Sequence, residues 1–424
     1  MLIVERLFVA SLDKFQNNEN DKAGKWGDYK CDANPKIFNQ LKQSFDSIGK
    51  PDIIMWTGDN PDHDFHITPE TSTNATLEIT ELMMEYIPET PIFSIHGNHE
   101  FDPMSVQDFN LDIDPVIEIV ANSWKDWLTE EAYEEYKTQS FYSMKAIDHP
   151  RGKAKDYGKK MEKTRIIAYN SQDCYIYNFY LIGQLKDPKQ QFVWLENLLR
   201  QMEKDGEVAI FISHVSPGTS DCISEVSARL RVLMDRFQHI IRLNLFGHTH
   251  EEEFEVVRAV EDGKPIGVNH LAPSMTSFVD HNPAFRVITL DAETKLPIKI
   301  ETHAFDLKRA NEDDSKAEFK LHHELGKDYG LPDLSPQSFL DLTKRFIDDE
   351  AVTQKYHEYM YAGGPGFTPN APCDDHCRRL LSCRCSNSVF SEARQCLQWN
   401  DYLNIWVLES YLFDFMNGKW VEKN

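Results

Sequence analysis

The sequence predicts an α/β sandwich, two β-sheets flanked by helices, followed by a helical, cysteine-bearing C-terminal subdomain. Three observations carry this prediction. Four short apolar runs each end in a polar side chain able to bind a metal. Helical patterns lie between them. After residue 250 the chain passes through consecutive strands and then into charged helices.

The elements follow in order. Residues 1–10 are apolar but broken by Glu5 and Arg6, so they read as a strand and make a poor secretory signal, or they follow a lost upstream segment. Residues 51–59 form a continuous apolar run ending in Gly58-Asp59, the pattern of a strand buried on both faces. Residues 91–99 repeat it and end in Gly97-Asn98-His99, followed by Glu100. Residues 207–214 end in His214, and residues 240–250 in Gly247-His248-Thr249-His250. Residues 188–204 place Phe192, Leu195, Leu198, Leu199 and Met202 on one helical face, with Pro188 at the start and Gly206 past the end. Residues 224–237 predict a second amphipathic helix. Strands are expected over 254–260, 266–272, 285–291 and 298–305. From about Ala310 helices are expected over 313–325, 335–349, 351–361 and 393–415, interrupted by Gly363-Gly364-Pro365-Gly366. The domain division is 1–308, which carries the strand-end residues, and 309–424, helical.

The chain has 424 residues, 41% hydrophobic and 27% charged, and a formal charge of −24. Such an acidic surface repels nucleic-acid polymers and anionic membranes. No run is long and apolar enough to cross a bilayer. Five of the eight cysteines crowd into one stretch: Cys373, Cys377, Cys383, Cys385 and Cys396. Zinc knuckles favour paired CxxC spacings, which are absent there, so the cluster reads as disulfides in an oxidising compartment.

The residues at the strand ends make one ligand set. Phosphoester cleavage needs a nucleophile made from water, positive charge beside the phosphoryl oxygens and a proton for the leaving group. Two metal ions about 3.5–4 Å apart supply the first two. Asp59 can bridge both ions, Asn98 offers a neutral oxygen, and His214 and His248 offer nitrogens. These four close one position, and His250 reaches the second.

These residues resemble the calcineurin-like metallophosphoesterases and, within them, the acid sphingomyelinase and sphingomyelinase-like phosphodiesterase family. The resemblance runs from about Gly27 to Trp399. It rests on Trp56-Thr57-Gly58-Asp59 with His63, Gly97-Asn98-His99-Glu100, Phe246-Gly247-His248-Thr249-His250 and Leu271-Ala272-Pro273-Ser274. Asn282-Pro283 before Phe285-Arg286-Val287, Tyr329-Gly330-Leu331-Pro332 and the C-terminal cysteines add to it. It implies a four-layer sandwich of two mixed sheets and a zinc-dependent phosphoric diester hydrolase with two zinc ions, one of them well supported by this chain's donors. It places zinc ligation on Asp59, Asn98, His214, His248 and His250, and puts His63 and His99 beside the phosphate, with His99 favoured as the acid that protonates the leaving oxygen. His66 and His96 are left structural. It also implies disulfides Cys174–Cys222, Cys373–Cys377 and Cys383–Cys396. Cys31 is expected to pair with a cysteine upstream that this chain lacks, and Cys385 has no evident partner.

Two departures bear on activity. The family opens with Asp-x-His, yet no histidine precedes His63. Either Val9 and Ser11 stand in those positions, or Asp13 matches the aspartate and Phe15 replaces the histidine. The motif is thus missing from the chain or lost by truncation. No saposin-like module is present, which favours a soluble phosphodiester or nucleotide over a phospholipid head group, though the module could lie upstream. A monomer in a secreted or lysosomal setting is expected, although the chain shows no signal peptide, with Asn74 of Thr73-Asn74-Ala75-Thr76 as a glycosylation acceptor. The alternatives are a non-catalytic homologue that binds one zinc and a phosphate-bearing ligand or partner, and a phosphomonoesterase or nucleotide hydrolase.

Overall fold

A computed structural model describes residues 1–4, 23–63, 68–151, 160–183, 186–367 and 373–397. Its strands are β1 (Leu2–Val4), β2 (Ile54–Trp56), β3 (Ile92–Ser94), β4 (Tyr142–Lys145), β5 (Thr164–Ala168) and β6 (Val208–Ile212). They continue with β7 (Ile241–Phe246), β8 (Glu253–Arg258), β9 (Pro265–Leu271), β10 (Ala284–Leu290), β11 (Pro297–Phe305) and β12 (Phe319–Glu324).

One sheet has the order β12-β11-β10-β1-β2-β3 and the other β4-β5-β6-β7-β9-β8. Both are mixed. In the first, β1, β2 and β3 are parallel and β10 to β12 antiparallel. In the second, β5, β6, β7 and β9 are parallel, with β4 and β8 antiparallel at the two edges.

Alternation along the strands explains the layering. On β6, Ile210 and Ile212 join the core between the sheets, while Ala209 and Phe211 join an outer cluster under helices. Both faces of the strand are covered, which is why its sequence is apolar throughout. The outer cluster is closed by α5 (Gln191–Asp205) and α6 (Ser224–Arg236), through Leu195, Leu199 and Met202 on one and Val226, Leu230 and Met234 on the other. The first of these helices stops at Gly206, whose φ of 66° completes a left-handed cap. Four earlier helices, α1 (Lys36–Ile48), α2 (Pro69–Tyr86), α3 (Pro115–Ser123) and α4 (Glu130–Gln139), were not predicted, nor were β4 and β5.

After β11 the short helices at Leu307–Glu312 and Leu325–Asp328 and the helix Asp375–Cys385 were not expected, and one expected helix is replaced by a strand. The helix expected over 313–325 is a 3-10 turn at Asp314–Lys316 followed by β12. The charges there suggested an exposed helix, but Phe319 packs on Phe285 and Phe305, and His323 is buried, so the segment is a half-covered edge strand. It follows the short helix α7 (Leu307–Glu312). The chain then forms α8 (Leu325–Asp328), α9 (Pro336–Asp348), α10 (Glu350–Met360), α11 (Asp375–Cys385) and α12 (Phe390–Leu397). Residues 398–415 of the last expected helix lie outside the described residues, as do Val9, Ser11, Asp13, Phe15 and His66. Phe339, Leu342 and Phe346 of α9 share the inter-sheet core with Phe254, Val256 and Val268. The C-terminal region therefore adds both an edge strand and a helical cover to the sandwich. No helix among the described residues is long and apolar enough to cross a membrane.

Candidate metal centre and active site

Strands β2 and β3 of one sheet and β6 and β7 of the other run out into loops at one place. Glycine is required where the first two loops touch. A Cβ on Gly58, which has φ of 90°, would lie 2.3 Å from the Gly97 nitrogen, and one on Gly97 would lie 2.2 Å from Asp59 Oδ1. The buried carboxylate of Glu100 staples the same two loops. It accepts from the backbone N–H of Gly97 (2.7 Å), Asp59 (3.2 Å) and Asn60 (2.9 Å), and from the Thr76 hydroxyl (3.1 Å). Burial, and then the charge of Asp59, raise its pKa.

Four of the five predicted ligands converge. His214 Nε2 is 3.1 Å from Asp59 Oδ2 and 3.1 Å from Asn98 Oδ1. His248 Nδ1 is 3.0 Å from the same amide oxygen and 3.3 Å from His214 Nε2. The ligand atoms of Asp59, His214 and His248 all lie within 4.8 Å of one another. His250 stands outside that group but borders the same cavity, with its ring 5.7 Å from His63 and 6.2 Å from His281. Asp59, His248 and His250 all have positive φ (60°, 77° and 63°), a conformation uncommon outside glycine and concentrated at functional sites.

The surrounding bonds test whether this set fits a cation. His214 Nδ1 faces the Thr57 carbonyl at 2.7 Å, so that nitrogen carries the hydrogen and Nε2 presents a lone pair. His248 Nε2 faces Asp221 Oδ2 at 3.0 Å, which leaves a lone pair on Nδ1. The Asn98 amide donates to Ser105 Oγ at 3.2 Å and turns its oxygen inward. Two nitrogen lone pairs, one amide oxygen and one carboxylate are therefore aimed at a common point, an arrangement that repels itself unless positive charge sits there. The donor set fits a divalent transition metal.

His63 and His99 border the same cavity, of about 360 Å³, beside this cluster. His63 rests Nδ1 on Asp32 Oδ1 (2.9 Å), donates its backbone N–H to Asp32 Oδ2 (3.1 Å), and lies against Phe278 with ring centres 4.0 Å apart. His99 donates its backbone N–H to Asp59 Oδ1 (2.8 Å) and turns Nδ1 to the Asp62 carbonyl (3.1 Å). The two rings meet edge to face at 4.7 Å. His96 is buried behind them with Nδ1 2.9 Å from the Tyr136 hydroxyl, and burial drops its pKa to about 3.

The disulfides are Cys174–Cys222, Cys373–Cys377 and Cys383–Cys396, the same three pairs that the resemblance implies, while Cys31 and Cys385 are free thiols. The first bridge flanks the site: Tyr175 packs against His248 at 5.2 Å, and Asp221 orients it. Asn74 is exposed on α2, while Thr76 of its triplet is buried against Glu100. Sequence reasoning missed Asp32, Thr57, Ser105, Asp221 and His281. Asp32 and Asp221 act through contacts distant in the chain and carry no local pattern, whereas Thr57 lies inside the quoted Trp56-Thr57-Gly58-Asp59 and Ser105 acts on the nearby Asn98. For His281 a signal was at hand, since it directly precedes the quoted Asn282-Pro283.

The profile of the family "Calcineurin-like phosphoesterase" matches residues 27–252, and that of the "Acid sphingomyelin phosphodiesterase C-terminal region" matches residues 264–402. Among similar proteins, "Sphingomyelin phosphodiesterase B" of Dictyostelium discoideum is 28% identical over 90% of this chain and 60% of its own length. "Sphingomyelin phosphodiesterase" of Homo sapiens is 29% identical over 85% of this chain and 56% of its own. "Cyclic GMP-AMP phosphodiesterase SMPDL3A" of Bos taurus is 28% identical over 87% and 81%. The chain thus spans less than two thirds of the length of the first two.

Proposed function

The chain belongs to the calcineurin-like phosphoesterase family, and on that premise we propose that it hydrolyses phosphodiesters with the help of divalent metal, zinc by preference. The observation that carries this reading is the convergence of Asp59, Asn98, His214 and His248 with their lone pairs aimed inward. Bound there, a divalent cation supplies Lewis acidity and lowers the pKa of water. Imidazole and carboxylate donors favour zinc, iron or manganese over magnesium.

The side chains around the cavity do the rest. The reaction forms a bond from water oxygen to phosphorus and breaks the bond from phosphorus to the alcohol oxygen, which takes up a proton. His99 places Nδ1–H on the Asp62 carbonyl and its backbone N–H on Asp59, and in its imidazolium form delivers that proton from Nε2. His63, fixed by Asp32 and Phe278, lies beside the phosphate and helps to position it. His250 serves a second cation. The relatives named for sphingomyelin and for cyclic GMP-AMP support a phosphodiester substrate, as a lipid head group or a nucleotide. The three disulfides support an oxidising compartment, secreted or lysosomal.

The test is hydrolysis of bis-p-nitrophenyl phosphate by protein stripped of metal and then reloaded with zinc. Turnover that appears only on reloading, and exceeds that of p-nitrophenyl phosphate, supports the reading. Zinc uptake without turnover would favour a binding protein instead, and faster monoester cleavage a phosphomonoesterase.

A further inference from the structure

One histidine of the cavity has no part in the scheme above. His281 is 3% exposed and borders the cavity. Its Nδ1 points at the Phe278 carbonyl (3.3 Å) and so carries the hydrogen. Its Nε2 is buried and has no hydrogen-bond partner among the described residues. A buried lone pair without a donor is costly in a finished structure and calls for a group that accepts it.

The backbone holds this ring with unusual effort. Val279 and Asp280, immediately before it, have φ of 67° and 66°. A β-branched residue in that region is an outlier that persists only where surrounding structure enforces it. The enforcing element is the glycine-rich turn after α10. Asn282 N–H donates to the Tyr361 carbonyl (3.1 Å), and Gly366 N–H donates to the Asp280 carbonyl (3.0 Å). A Cβ on Gly364 would lie 2.5 Å from the Asp280 oxygen and 2.8 Å from the His281 carbonyl carbon. Tyr361 stacks on the imidazole with ring centres 4.8 Å apart. The turn packs against the loop that carries the histidine, and the imidazole facing it across the cavity lining is that of His250, edge to face at 6.2 Å.

We propose that His281 is a further cation ligand, sharing a divalent transition-metal ion with His250. This rests on the phosphoesterase reading of the cavity. Two imidazoles on one tetrahedral ion bring their ring centres to roughly 5 Å, and the pair already in place, His214 and His248, stands at 5.1 Å. Loading the second ion draws His250 and His281 together by about 1 Å, the difference between 6.2 Å and 5.1 Å. The glycine-rich turn is then a positioning element for the metal centre.

Metal-free protein titrated with zinc, followed by calorimetry and native mass spectrometry, tests this. Wild type takes two ions. His281→Ala and His281→Gln bind the first as wild type does and the second more than about 100-fold more weakly, since even partners outside the ligand shell are worth about 10–100-fold. Unchanged second-ion affinity in folded variants overturns the inference, as does a wild type that takes one ion only. A wild type that takes none overturns the reading of the whole cavity. If both variants unfold, magnetic resonance of wild type with isotope-labelled histidine, loaded with cadmium, decides. Coupling between the metal and His281 Nε2 supports the assignment, and its absence at two equivalents ends it.

Discussion

His63 and Asp32 meet at two points: the imidazole Nδ1 lies 2.9 Å from one carboxylate oxygen, and the backbone N–H donates to the other at 3.1 Å. Turning the ring over would forfeit the Nδ1 contact, so the carboxylate fixes how the imidazole sits at the cavity.

Asp32→Asn therefore lowers kcat for a chromogenic phosphodiester by about 10–100-fold, the usual worth of a partner that orients an active-site histidine, while KM and the far-ultraviolet dichroism change little. An unaltered kcat would show that the carboxylate only packs.

His214→Ala weakens binding of the first cation by more than about 100-fold, beyond the 10–100-fold of an outer partner. The wild type gains about 2.7 kcal/mol of stability at metal concentrations near 100 times Kd, and the variant loses that gain. Thermal melts with and without zinc check this. Equal metal-induced shifts would remove His214 from the site.

Glu100→Gln destabilises the fold by about 1–3 kcal/mol, because an amide turns hydrogens toward buried N–H donors that need an acceptor. Urea unfolding measures the loss. A variant as stable as wild type would mean that water replaces the staple.

Glu255 gives a pH dependence. Burial pushes its carboxyl up to about 7 from an unfolded value of 4.5, despite bonds from Asn269 and Gly218. The folded state binds the proton more tightly, so the contribution of Glu255 is full below about pH 4.5 and is lost as pH rises through about 7. The loss is about 3 kcal/mol at 1.36 kcal/mol per pH unit. Glu255→Gln flattens that part of the stability curve, and unfolding at pH 5 and pH 8 reads it. An unchanged slope assigns the dependence to other groups.

The ligands at the strand ends were legible because burial leaves a local trace. Asp59, Asn98 and His214 each follow a short, mostly apolar run, and such a run ends where the chain leaves the sheet; before His248 the apolar residues Ile241, Leu243 and Leu245 alternate with Arg242 and Asn244. Asp32 and Asp221 leave no such trace, because each is defined by a partner brought near by folding. β12 was misread for a related reason. An edge strand with one covered face tolerates Lys320 and Glu324 beside Phe319, and that mixture resembles an exposed helix. The disulfide pairs came through likeness alone, since eight cysteines allow many pairings.

The bridge between Cys174 and Cys222 has a practical corollary. It joins the segment bearing Tyr175 to the one bearing Asp221, and these two residues grip His248 from either side. Material produced in a reducing cytosol would emerge with that clasp undone and its second jaw slack. Two batches of identical polypeptide could then differ in potency, and a gel run without thiol would tell them apart before any assay did.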